Sequence, residues 1–227
     1  MLVHLVPIGR GRFELYAEPP EVETPPPAHD AGPLRRWLHN AGDQWRSIVD
    51  TARLDNASSR LGRWRDALFR TLADSIDGQR TMWSLRTAEA ATALFPAHMT
   101  PAAAQNVLNT RLVDARRFHG IRFAIYLTLF LASGILFFVP GPNIVAYYIG
   151  FQAFGHMQSW RGAKQATSTL RWTLSPSEEL AELDRLEGRS HADRASQVEA
   201  IAVRLGLPRL PAFFERAVAR ETPAEAL

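Results

Sequence analysis

The sequence predicts a mainly α-helical integral membrane protein, with one transmembrane helical hairpin, cytosolic helices and a short N-terminal β-hairpin. Three observations carry this expectation. Phe123 to Trp160 holds no Asp, Glu, Lys or Arg across 38 residues. In its middle, Pro140, Gly141, Pro142 and Asn143 interrupt the apolar run. Basic residues flank it on both sides, Arg111, Arg116, Arg117 and Arg122 before it and Arg161, Lys164 and Arg171 after it.

From the N-terminus, residues 1–17 read as a β-hairpin, two short apolar runs around the glycine-containing turn "GRGR". Nothing in this stretch resembles a secretory signal, because the apolar run is short and contains Pro7. Residues 18–33 carry six prolines and four acids and read as an extended linker. Residues 34–95 read as helices. Leu34, Trp37, Leu38, Ala41, Trp45 and Ile48 share one helical face, and Leu61, Trp64, Leu68 and Leu72 repeat the spacing. A third segment runs through Met82, Trp83 and Leu85 towards Phe95.

Residues 101–172 read as one long helix entering the hairpin, with Thr100 as N-cap and Pro101 at the first helical position. The expected spans are 123–139 and 143–160. The first holds 11 Phe, Ile, Leu or Val residues in 17. The second is more mixed, with Asn143, Gln152, His156 and Gln158. Small residues (Ala124, Thr128, Ala132, Ala146, Gly150, Ala153) allow the two to approach closely. A single span would place basic clusters on both faces of a bilayer. A hairpin places them together on the cytoplasmic side, which favours a multi-pass protein of a bacterial inner membrane with both termini cytoplasmic. Residues 173–227 read as further cytosolic helices, the first capped near Ser175 and Pro176.

The chemistry is sparse. With no cysteine there is no disulfide scaffold, no CxxC zinc site and no thiol nucleophile. The arginines are scattered among acids rather than gathered on one face, so nucleic acid is not an expected partner. No catalytic motif, cofactor motif or metal-ligand spacing is present, and no enzyme activity is expected. His119 and His156 lie at corresponding ends of the two apolar segments, so a hairpin would bring them together as a proton relay or a metal pair. Interfacial histidines with ordinary partners are the commoner outcome. Two spans without charge enclose no aqueous path, so the expected partners are the lipid bilayer together with further copies or a membrane protein.

Three stretches carry a resemblance to a known family. They are "MLVHLVPIGRGRFELY", the block from "RRFHGIRF" through "VPGPNIVAYY" to "SWRGAKQ", and "GLPRLPAFFERA". Together they resemble the mitochondrial potassium–proton exchange-related family and its bacterial members. Pro140, Gly141, Pro142, Asn143, Trp160, Arg161 and Gly162 are the matching positions. The resemblance implies a role in monovalent cation and proton balance, as a subunit or regulator of exchange more than as a stand-alone carrier. A scaffold binding a protein partner and an oligomeric pore are the alternatives.

Overall fold

The computed structural model describes residues 1–18, 81–133 and 144–221. The elements are β1 (Leu2–Gly9), β2 (Arg12–Tyr16), β3 (Ala90–Pro96), α1 (Pro101–Ser133), α2 (Ile144–Ser168), β4 (Arg171–Ser177), α3 (Glu178–Asp184), α4 (His191–Leu205) and α5 (Leu210–Glu221). The strands form one sheet in the order β2-β1-β3-β4. β1 and β2 are antiparallel, while β1–β3 and β3–β4 are parallel.

Helices cover both faces of this sheet. On one face Val3, Leu5, Phe13, Leu15, Ala91, Ala93 and Phe95 form a core with Leu85, α1 residues Ala104, Leu108 and Leu112, and α2 residues Ala163 and Ala166. On the other, Val6, Ile8 and Tyr16 pack with α3, α4 and α5 through Leu180, Leu183, Val198, Ile201, Leu210 and Phe214. Coverage on both sides explains why β1 is buried continuously from Val3 to Ile8 instead of alternating. The β1–β2 turn uses Gly9 and Gly11 at positive φ, and Arg10 between them shares that conformation at φ 55°. The Arg10 backbone N–H donates to the Glu187 carboxylate, which ties the turn to the loop that follows α3.

The protein is therefore mixed α/β rather than mainly α. The N-terminal hairpin is two strands of a larger sheet, and the run towards Phe95 is helical only over residues 81–85 before it becomes β3. Parallel pairing on both sides overrides the helical reading there. The period of two that betrays the strand, Ala91, Ala93 and Phe95, is weak because two of the three side chains are methyl groups. Likewise Ser175 and Pro176 belong to β4. The cap of α3 is Ser177, whose hydroxyl accepts from the Leu180 N–H. Thr100 caps α1, its hydroxyl accepting from the Ala103 N–H at 3.2 Å.

The transmembrane reading is also corrected. Among the described residues no helix is long and apolar enough to cross a membrane. An integral, multi-pass inner-membrane protein with a transmembrane hairpin is thus unsupported, and so is the cytoplasmic placement of both termini that followed from it. The physical reason lies in the helices around the uncharged block. α1 begins some twenty residues before Phe123 and fixes its first turns in the sheet core. α2 runs on past Trp160 and buries Ala163 and Ala166 in that core. Its polar residues Gln152, His156 and Ser159 are buried against protein. The turn Pro140–Asn143, the segments expected as helices over 34–76 and most of the proline-rich stretch lie outside the described residues.

Candidate functional site

α1 and α2 pack as an antiparallel pair. His119 and Gly120 meet His156 and Trp160, while Phe130, three turns further along α1, meets Gly150, nearer the start of α2, so the two helices run in opposite directions. His119, Arg122, Phe123 and Tyr126 recur at three- and four-residue spacing and share one face of α1. On α2 the same spacing places Gln152, His156, Ser159 and Ala163 on one face.

At the centre of this contact the two histidines touch. His119 Nδ1 lies 2.9 Å from His156 Nδ1, and the two residues are only 8% and 5% exposed. One Nδ1 must carry a hydrogen and the other a lone pair, so the pair contains one ring of each neutral tautomer. Aromatic rings enclose it. Tyr126 stacks on His156 at 5.5 Å with an interplanar angle of 8°, and the Phe118 ring stands nearly perpendicular to both imidazoles. Arg122 sits over Phe118, 4.8 Å from the ring centroid.

These surroundings favour the neutral rings. Burial holds His119 down to about 4 from 6.5, helped by the proximity of His156 and of Arg122. Burial with the Arg122 charge brings His156 to about 4 as well. Desolvation penalises an imidazolium, and the guanidinium adds like-charge repulsion. Among the described residues no group of three or more His, Cys, Asp or Glu is arranged to hold a metal ion.

One turn along, α2 is fastened to the helical segment 81–85. The Trp83 indole N–H donates to the Ser159 hydroxyl at 2.9 Å and the Gly155 carbonyl at 3.1 Å, and the Ser159 hydroxyl donates to the same carbonyl at 3.0 Å. Gly162 lets the Met82 backbone lie directly against the α2 backbone: a Cβ there would come within 2.7 Å of the Met82 carbonyl carbon and closer still to its oxygen.

The structure therefore brings together His119 and His156, and it explains two further positions singled out in the sequence. Gly162 is a close-contact residue. Trp160 stacks on Phe123 with a 6.4 Å centroid separation, lies across Gly120 and receives Lys164 Nζ 5.6 Å from its ring. Arg161 is exposed. Pro140, Gly141, Pro142 and Asn143 lie outside the described residues. Gly150, one of the small residues expected to let the two helices approach, accommodates Phe130 of α1: a Cβ there would be 2.9 Å from that ring. Sequence reasoning missed the Trp83–Ser159 fastening. Its signal was the small-residue series Gly155, Ser159 and Gly162 at helical spacing.

A family model described as "Mitochondrial K+-H+ exchange-related" matches residues 3–170. It spans β1 to the end of α2 and so includes the histidine pair and its surroundings. No curated protein and no solved structure matches the chain.

Proposed function

The chain belongs to the mitochondrial K+–H+ exchange-related family, and we propose that within potassium–proton exchange it acts as a subunit or regulator rather than as a stand-alone carrier. The observation that carries this reading is the exposed apolar surface of α1. Ile121, Ile125, Leu127, Leu129 and Leu131 are 37 to 68% exposed and follow one another within three turns. Large apolar side chains exposed at this density are the mark of an interaction site. A subunit that docks on another protein of the exchange machinery fits it.

Potassium-driven proton flux tests this. Cells or organelles lacking the chain should lose flux that is restored by the wild type. Leu131→Arg should fail to restore it, with a fall of at least tenfold, while its far-ultraviolet dichroism and melting stay those of the wild type, since Leu131 is 68% exposed. Vesicles reconstituted with the purified chain alone should show no exchange. Exchange by the chain alone would overturn the subunit reading and make it a carrier.

A further inference from the structure

We propose that the His119–His156 hydrogen bond is a two-proton latch between α1 and α2, closed while both rings are neutral and forced open when both are protonated. The geometry sets the count. At 2.9 Å the two Nδ1 atoms share one hydrogen. A first added proton can enter only at the free Nε2 of the donor ring. It leaves the bond in place, but it creates a cation that is nearly buried and close to Arg122. A second proton has only the bonded Nδ1 of the other ring to occupy. It then sets one N–H against another at hydrogen-bond distance, and the contact must break.

Among the described residues, the groups that face the pair supply nothing to hold two imidazolium ions. From α1 they are Arg122 and the Tyr126 ring. From α2 they are Gln152 and Ser159, one turn to either side, with Trp160 beyond. From segment 81–85 comes Trp83, whose N–H is already taken up by Gly155 and Ser159. None of these is a carboxylate, and the charge acting on both rings is the positive one of Arg122. An opened pair regains water and an ordinary imidazole affinity, so protons favour the open form over the interval from 6.5 down to about 4. A two-proton step shifts the open-to-closed ratio by up to about 100-fold per pH unit within that interval.

This deepens the proposed function, since a subunit of a proton exchange system then carries an element that reads proton concentration. The test uses the isolated chain and no flux, so it can fail while the docking reading stands, and the reverse. The sequence has no cysteine, so Arg117→Cys with Arg161→Cys gives two unique sites for nitroxide labels on α1 and α2. The interlabel distance is constant above pH 7. On acidification it lengthens with a midpoint between pH 4 and 6.5 and a slope approaching two protons. In the doubly labelled His119→Phe, His156→Phe chain the distance stays constant throughout. The same transition in that variant, or a constant distance in the histidine-containing chain down to pH 4, overturns the latch. Should the double variant not fold, imidazole NMR on the wild type decides: both rings gain protons over the same pH interval in which the distance changes, and protonation without that change refutes the proposal.

Discussion

Gly162→Ala will cost the protein at least about 3 kcal/mol of folding stability, the upper part of the range for overpacking a tight interior contact. The cost is high because both sides of the contact are backbone. The added methyl meets the Met82 carbonyl, not the end of a flexible side chain. α2 must then move away from segment 81–85. That movement stretches the Trp83 N–H from Gly155 and Ser159 and lifts Ala163 and Ala166 from the core below the sheet. For a chain of this length the melting temperature should fall by roughly 6–12 °C. Gly120→Ala provides the comparison. Its methyl would meet the Trp160 side chain at 3.1 Å, and an indole can shift by a few tenths of an ångström. Its melting temperature should fall much less. Equal melting of Gly162→Ala and wild type would mean that the two backbones do not approach as described.

The second large effect is loss of stability in mild acid. His119 and His156 each bind a proton near 6.5 when unfolded and near 4 when folded. Between those values the unfolded chain holds more protons, so stability is complete above 6.5 and is lost as pH falls towards 4. A displacement of this size corresponds to on the order of 3 kcal/mol for one ring. His4, buried and also lowered chiefly by desolvation, acts in the same direction. The carboxylates held low, Glu179 and Glu215, weaken the fold only as pH falls below their ordinary range. Urea unfolding at pH 7.5 and pH 5 separates these contributions. The wild type should lose several kcal/mol over that interval, and the chain carrying His119→Phe and His156→Phe should lose clearly less. Identical losses would show that the pair is not held neutral by the fold.

The strand pairing and the histidine contact differ in how far they could be read from sequence. The β1–β2 pair was legible because two short apolar runs flank glycines that supply the positive φ of the turn. β3 was not, because its alternation is carried by Ala91, Ala93 and Phe95, and an alanine-rich run fits a helix equally well. β4 was hidden behind Pro176 and two serines, which read as a helix start when the partner strand is unknown. The uncharged block read as a membrane hairpin because composition cannot distinguish apolar residues facing lipid from those facing protein. Gln152, His156 and Ser159, buried within α2, carried the contrary signal. The meeting of His119 and His156 was legible for a simpler reason: any reversal near Pro140 pairs positions whose numbers sum to a nearly constant value. The Nδ1-to-Nδ1 orientation was not legible, because it depends on the rotation of each helix about its axis.

Nitrogen-15 NMR of histidine-labelled protein at neutral pH tests the central contact most directly. The structure predicts one ring protonated at Nδ1 and the other at Nε2, with scalar coupling between the two Nδ1 nuclei through their shared hydrogen and no titration of either ring near 6.5. Two Nε2-protonated rings without coupling, each gaining a proton near 6.5, would contradict it.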